Sequence, residues 1–165
     1  MTPVVSVIAP GMMGAAVGKR LVDHGVKVLT SLTGRSAETA DRARLAGMVA
    51  ASDEEIAGTD YILSILPPGD AVSLAERFGP ALKASNAKPI YVDCNAIAPQ
   101  TVTAIAAPFQ AAGVAFVDAG IVGGPPDPTG YNPRIYASGP RAGDFARLTG
   151  LGLDIPVLSD KVGDA

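Results

Sequence analysis

The fold is decided near the amino terminus by residues 4–14, which read VVSVIAPGMMG. The β-branched run Val4–Ile8 predicts a buried strand. A turn containing glycine follows, and apolar residues then recur every four positions from Met13 to Leu21, which predicts one buried face of a helix. A second apolar run at Val26–Leu29 predicts the next strand. Strand, turn, helix and strand together make a βαβ unit.

The turn in this unit, residues 9–14, matches the dinucleotide fingerprint G-x-G-x-x-G with alanine in the first position. Gly11 would let a pyrophosphate approach the main chain closely, and Gly14 would let the helix pack against the strand. The first amides of the helix favour an anion, although proline at position 10 removes one donor. A purely steric need for glycine in a tight turn is the alternative interpretation. The predicted cofactor contacts are Pro10, Gly11, Met12, Met13 and Gly14.

Strands and helices continue to alternate through the rest of the chain. Ser36, Ser52 and Asp70 are predicted to cap helices, and Pro99 is predicted to lie in the first turn of another. This alternation predicts an α/β, Rossmann-type, doubly wound and mostly parallel sheet with helices on both faces. Right-handed crossovers would bring the carboxyl ends of the strands to one edge, where ligands bind. The later strands are predicted at 48–50, 61–66, 89–93, 114–118, 134–137 and 155–158.

Composition and charge exclude several classes of protein. Hydrophobic residues make up 48% of the 165 residues and charged residues 18%, which is not the composition of a disordered chain. The net charge of −3 argues against nucleic acid or an anionic membrane as a partner. The single cysteine, Cys94, excludes an internal disulfide and a cysteine-rich zinc site. The single histidine, His24, excludes a histidine-rich metal centre. With no basic and apolar leader, the chain is expected to be cytoplasmic, without a membrane or a metal.

The residues after the second strand, TSLTGRS at 30–36, bear on the choice between NAD and NADP. An NAD site usually has an acid here for the ribose 2′-hydroxyl, but no carboxylate occurs before Glu38. Arg35 offers a planar fork suited to a phosphate, and Ser36 offers a hydroxyl at a helix N-terminus. This pattern favours NADP(H) over NAD(H); a solvated Arg35 and a Ser36 that is only a cap are the alternatives. The predicted contacts with the 2′-phosphate are Thr33, Gly34, Arg35 and Ser36.

Five stretches occur in an order that resembles a known family. They are residues 9–14, 34–36, 63–67, 93–96 and 116–124. Together they resemble the N-terminal NAD(P)-binding domain of the β-hydroxyacid dehydrogenase and 6-phosphogluconate dehydrogenase superfamily, which includes imine reductases. The resemblance implies that residues 1–158 form the NAD(P)-binding Rossmann domain. It also implies that residues 159–165 begin a linker to a C-terminal helical domain that is missing from this chain.

The resemblance assigns further residues to the nicotinamide side of the site. Leu66 and Pro67 would line the path from adenosine to nicotinamide. Asn95 would hydrogen-bond the nicotinamide ribose or the substrate.

The substrate would be bordered by Asn95 and by Val122, Gly123 and Gly124. Val122 stands where many members of the superfamily carry a serine, so a substrate carboxylate would lose a hydroxyl donor there. Residues 123–128 are alternatively interpreted as a rigid surface loop.

No residue of this chain is predicted to be the catalytic acid or base. Members of the superfamily carry that group, typically a lysine, several residues after a Val-Gly pair, whereas Lys161 precedes the pair here. Cys94 has no base for activation, because His24 is predicted at the opposite end of the first helix from the glycine turn.

The sequence therefore predicts the NADP(H)-binding domain of an oxidoreductase that transfers hydride between nicotinamide and a small carbonyl, hydroxyacid or imine substrate. A small-molecule substrate would be its partner, and a homodimer is expected only if the C-terminal helical domain is present. The alternative is a non-catalytic, stand-alone module that binds or senses dinucleotides. Reading the frame beyond Ala165 would separate the two, since a further Gly-x-x-x-Lys helix indicates an enzyme.

Overall fold

The computed structural model describes residues 1–165 and contains one eight-stranded sheet. The strand order is β3-β2-β1-β4-β5-β6-β7-β8, and every neighbouring pair is parallel except β6 and β7. The Rossmann-type prediction is therefore confirmed. The strands are β1 Val4–Ile8, β2 Lys27–Thr30, β3 Val49–Ala50, β4 Tyr61–Ser64, β5 Ile90–Asp93, β6 Phe116–Val122, β7 Arg134–Ser138 and β8 Val157–Ser159.

Local capping signals fix where several helices begin. Ser52 and Glu55 form the predicted capping box at the start of α3, with bonds of 2.9 and 3.1 Å. Asp70 precedes α4 as predicted, but its side chain makes no capping bond. The helices are α1 Met12–Asp23, α2 Ala37–Leu45, α3 Asp53–Ala57, α4 Ala71–Ala84, α5 Pro99–Ala111 and α6 Ala142–Phe145, with 3-10 turns at Pro68–Asp70 and Ala146–Leu151.

The sheet separates two apolar layers, because successive strand residues point to opposite faces. In β4, Leu63 packs into the layer formed with α1, α2 and α6, whereas Ile62 packs into the layer formed with α3, α4 and α5. Both side chains are fully buried. None of the helices combines the length and the apolar character needed to cross a membrane.

The largest difference from the predicted strands is in β6. The sequence predicts a strand that ends at Asp118, but β6 continues to Val122. The extension is stabilised by antiparallel pairing with β7, in which Val122 lies opposite Arg134. That pairing is a long-range contact, so the short apolar run in the sequence did not reveal it. Smaller corrections shorten β4 to Ser64 and shift β8 to Val157–Ser159.

Candidate functional site

The glycine turn lies where the connections of the sheet change direction. From β1 the chain passes through α1 to β2 on one side, whereas β4 lies on the other side of β1. In doubly wound sheets, ligands bind beyond the carboxyl ends of the strands at such a switch point. Because β1 ends at Ile8 and α1 begins at Met12, the turn between them occupies this position.

Two glycines of the turn have different steric surroundings. A Cβ at Gly14 would overlap the carbonyl oxygen of Ala9, so only glycine lets α1 approach β1 this closely. A Cβ at Gly11 would meet no atom within 4 Å. Gly11 is exposed, and the neighbouring Met12 is 76% exposed. The outer side of the turn is therefore open rather than covered by packed side chains.

The start of α1 presents unpaired backbone donors. No protein group accepts a hydrogen bond from the amides of Met12, Met13 or Gly14. The first bond of the helix is made by Ala15, whose amide donates to the carbonyl of Gly11 at 2.8 Å. The helix has neither a capping side chain nor an acid in its first turn. These free N–H groups and the positive end of the helix dipole favour an anion.

An arginine that the sequence did not single out reaches this turn from α2. Nη1 of Arg42 donates to the carbonyl oxygen of Pro10 at 3.3 Å. Nη2 of Arg42 pairs with Glu38 at 3.4 Å, one helical turn earlier. In the sequence, a glutamate four residues before an arginine indicates only an exposed ion pair on a helix. The contact with Pro10 depends on how α2 packs beside β1, so no local pattern predicts it.

The β2–α2 turn carries the residues predicted to bind a 2′-phosphate. Thr33, Gly34, Arg35 and Ser36 are all exposed, and Gly34 has a φ of +72°, which favours glycine. The Ser36 hydroxyl caps α2 by accepting a hydrogen bond from the Thr39 amide at 3.2 Å. The guanidinium of Arg35 makes no hydrogen bond or ion pair with the protein. The capping role of Ser36 is confirmed, and contact with a phosphate stays a prediction.

A shallow pocket brings Arg35 beside the end of β4. Besides Arg35, it is lined by Leu66, Asp70, Ser73, Leu74 and Arg77. The pocket therefore joins two of the predicted cofactor residues, Arg35 and Leu66. Pro67 is exposed next to Leu66, immediately before the 3-10 turn.

Arg77 of α4 supports this pocket, although no pattern in the sequence points to it. Its guanidinium donates to Ser31 Oγ at 2.8 Å and to Asp53 Oδ1 at 2.6 Å. Ser31 is 2% exposed and directly follows β2, so the arginine ties the end of β2 to α3 and α4. These three residues are far apart in the sequence, and no spacing rule joins them.

Asn95 connects the ends of β4 and β5. Its Oδ1 accepts a hydrogen bond from the Leu66 amide at 2.8 Å, and its Nδ2 donates to Ser64 Oγ at 2.9 Å. Its own amide donates to Asp93 Oδ1 at 2.9 Å. The side chain is 5% exposed and holds the segment that contains Leu66. The predicted contact between Asn95 and ribose or substrate stays a prediction.

Two buried acids lie side by side on neighbouring strands, Asp93 at the end of β5 and Asp118 within β6. Asp93 and Asp118 are paired in register and are 0% and 2% exposed. Burial raises the pKa of the Asp93 carboxyl to about 6, with a further contribution from Asp118. Burial also raises the pKa of Asp118, although the amides of Ala165 and Gly163 donate to its Oδ2 and oppose the rise. Gly163 and Ala165 are thus attached to the sheet at Asp118.

The loop after β6 is held against α1. Arg20 donates from Nη2 to the carbonyl oxygens of Tyr131 at 2.8 Å and of Asp127 at 3.4 Å. Gly123 has a φ of +119°, and a Cβ there would overlap the hydroxyl of Tyr131. Val122 is 63% exposed at the end of β6, and Gly124 is also exposed. These contacts favour the rigid-loop interpretation, while substrate contact stays a prediction.

Residues 4–144 match the protein family described as the NAD binding domain of 6-phosphogluconate dehydrogenase. The chain belongs to this family. The exposed glycine turn lies beyond the carboxyl end of β1, where domains of this fold bind their ligands. The resemblance noted from the ordered motifs is therefore confirmed. None of the curated proteins matches the sequence.

Solved structures of similar fold are longer than this domain. A conserved protein of unknown function, reported to be similar to 3-hydroxyacid dehydrogenases, is 37% identical with a TM-score of 0.86. It is matched over 98% of this chain and 59% of its own. An imine reductase variant from Myxococcus stipitatus in complex with NAD+ is 20% identical, with a TM-score of 0.78 over 99% of this chain and 56% of its own.

A third relative is 3-hydroxyisobutyrate dehydrogenase from Mycobacterium tuberculosis, studied with L-serine. It is 21% identical, with a TM-score of 0.78 over 99% of this chain and 56% of its own. At this identity, the likeness to the two named enzymes shows the shared fold. The chain spans 56–59% of the length of the three relatives.

Proposed function

We propose that this chain is the NADP(H)-binding domain of an oxidoreductase that acts on a small carbonyl, hydroxyacid or imine substrate. The observation that carries the proposal is the open glycine turn at the switch point, with free amides at Met12, Met13 and Gly14. A dinucleotide diphosphate needs close approach to the backbone and several N–H donors, and both are present. The turn therefore fits the cofactor of the family.

The preference for NADP(H) rests on the β2–α2 turn. Arg35 has an unpaired guanidinium, and the turn itself contains no carboxylate, since Glu38 already lies in the first turn of α2. A guanidinium is suited to a phosphate dianion, whereas a ribose 2′-hydroxyl needs an acceptor such as a carboxylate. This arrangement supports binding of NADPH in preference to NADH.

The proposed substrate side lies beyond the ends of β5 and β6. Asn95, Val122, Gly123 and Gly124 are the residues that the family resemblance assigns to it. The cofactor supplies the hydride when it is bound, and this chain's residues bind and orient it. No acid or base for the substrate is assigned within the chain, so we expect binding of cofactor with little or no turnover. A homodimer is proposed only with the C-terminal helical domain.

The proposal is tested by calorimetric titration of the chain with NADPH and NADH. We expect NADPH to bind more tightly, and Arg35→Ala to weaken NADPH about tenfold while leaving NADH unchanged. Arg44→Ala is the control, because Arg44 is an exposed arginine of α2 that pairs only with Asp41. Equal losses for both cofactors would show that Arg35 is structural. Absence of binding by the unmodified chain would overturn the proposed function itself.

A further inference from the structure

The position of Arg42 gives it a role that the family resemblance does not assign. Arg42 is the one charged side chain that hydrogen-bonds to residues 9–14, through its 3.3 Å contact with Pro10. It belongs to α2, whereas the predicted 2′-phosphate residues precede that helix. The cation therefore lies at the glycine turn rather than in the β2–α2 turn.

The contact with Pro10 changes the electrostatics of the turn. Proline has no amide hydrogen, so residue 10 brings an acceptor to the turn and no donor. The carbonyl oxygen carries partial negative charge, which opposes an anion unless a donor pairs with it. Arg42 supplies that donor and brings a full positive charge with it. With this carbonyl oxygen paired, the turn and the free amides of α1 both attract an anion.

The guanidinium of Arg42 keeps donors for a further acceptor. A guanidinium has five N–H donors, and the two contacts at Pro10 and Glu38 use two of them. The Arg42 side chain is 33% exposed, so part of it faces solvent. Glu38 is 84% exposed and 3.4 Å away, and an ion pair of this kind is weak in water. Glu38 does not compete strongly with a phosphate.

We propose that Arg42 places its guanidinium beside the diphosphate of the dinucleotide and sets the affinity for that group. This inference rests on the proposed function, because it concerns the same site. NADP(H) and NAD(H) carry the same diphosphate and differ only at the ribose 2′ position. Arg42 therefore determines affinity for both cofactors alike, whereas Arg35 determines the preference between them.

The experiment titrates the 165-residue chain with NADPH, NADH and ADP-ribose, which carries the diphosphate without nicotinamide or a 2′-phosphate. Arg42→Met removes the charge and the donors but keeps an apolar stem. We expect it to weaken all three ligands by about tenfold and to leave the ratio of NADPH to NADH affinity unchanged. Arg42→Lys keeps the charge and is expected to retain most of the affinity. Arg44→Met, on the exposed side of the same helix, is expected to change nothing.

Salt dependence separates a charge effect from a structural one. A contact between Arg42 and the diphosphate is screened by salt, so Arg42→Met is expected to flatten the dependence of the dissociation constants on NaCl concentration. Thermal unfolding of each variant checks that the fold is kept, and Arg42→Gln, which also removes the charge, serves as the second variant should Arg42→Met fail to fold.

Three results would overturn the inference. They are unchanged affinity in Arg42→Met, a loss confined to NADPH, and equal losses in Arg42→Met and Arg42→Lys without a change in salt dependence. In each of them the unmodified chain still binds cofactor, so the proposed function stands. If the unmodified chain binds none of the three ligands, both the proposed function and this inference fail.

Discussion

Asn95 Oδ1 accepts a hydrogen bond from the backbone amide of Leu66 at 2.8 Å, which joins the segment after β5 to the segment after β4. The same carboxamide donates to Ser64, so one side chain fixes two points of the neighbouring strand end. The hydrogen bond to the Leu66 amide holds the backbone of a residue that is predicted to contact the cofactor. Asn95 therefore fixes the backbone of the segment that is predicted to line the nicotinamide side of the site.

Replacing this carboxamide is expected to destabilise the domain. Asn95→Ala leaves the Leu66 amide and the buried Ser64 hydroxyl without their partner, at a cost of about 2–3 kcal/mol in the free energy of unfolding. Urea denaturation measures this loss. Ser64→Ala is the matched control, because it removes the bond to Nδ2 and keeps the bond to Leu66. An unchanged free energy of unfolding in Asn95→Ala would show that the bond does not stabilise the fold.

The two glycines of the turn are expected to respond differently to alanine. Gly14→Ala places a Cβ against the Ala9 carbonyl oxygen and is expected to destabilise the domain by about 3 kcal/mol or more. Gly11→Ala places a Cβ in open space at a φ of −70°, which suits any residue, so the fold is kept with a loss of about 1 kcal/mol or less.

The binding of cofactor distinguishes the two glycine variants further. The added Cβ would occupy the open space at residue 11 that we propose for the diphosphate, so this folded variant is expected to bind NADPH at least about tenfold more weakly. Thermal unfolding and calorimetric titration on the same sample give both quantities. Normal binding by a folded Gly11→Ala variant would argue that the diphosphate does not lie against residue 11.

The buried Asp93 predicts a pH dependence of stability. Its pKa is raised from 3.8 to about 6 in the folded protein, so folding favours the protonated acid. The stabilising contribution of this group is full below pH 3.8 and is lost as pH rises to about 6 and beyond. The measurement is the difference in unfolding free energy between the unmodified chain and Asp93→Asn across this range.

Comparison with Asp93→Asn isolates the titration of Asp93, because every other acid titrates in both proteins and cancels in the difference. Asparagine keeps an oxygen for the Asn95 amide and carries no charge at any pH. We expect the stability of the unmodified chain relative to the variant to fall between about pH 4 and pH 6 and to level off above about pH 7. A constant difference over that range would contradict the raised pKa.

The ion pair between Arg77 and Asp53 is expected to contribute to stability, since both side chains are about one-third exposed or less. Arg77→Met removes this pair and the bond to buried Ser31, and we expect a loss of about 1–2 kcal/mol. Arg44→Met, which breaks only an exposed pair with Asp41, is expected to cost about 0.5 kcal/mol or less. Chemical denaturation of the two variants side by side gives the comparison, and equal losses would be contrary to this expectation.

Local signals allowed the sequence to predict much of this fold. The β-branched run at Val4–Ile8, the Ser52 capping box and the glycine turn depend on neighbouring residues, and each occurs where it was predicted. The extension of β6 to Val122 depends on pairing with β7, which a linear pattern does not specify. Strand length was therefore less predictable than strand position.

The candidate site shows the same division between local and long-range causes. Gly11 and Gly14 were found because the fingerprint has fixed spacing. Arg42 and Arg77 were missed because each reaches its partner across 32 and 46 residues of sequence, at Pro10 and Ser31 respectively. Their contacts depend on how α2 and α4 pack on the two faces of the sheet, and the sequence pattern predicts the positions of these helices only approximately.

The central claim is that the first amides of α1 bind the dinucleotide diphosphate, and NMR of the 15N-labelled chain during titration with NADPH tests it most directly. We expect the amide protons of Met12, Met13 and Gly14 to move downfield together and to saturate at the same NADPH concentration as the calorimetric signal. Saturable binding of NADPH that leaves these three resonances unmoved would contradict the claim.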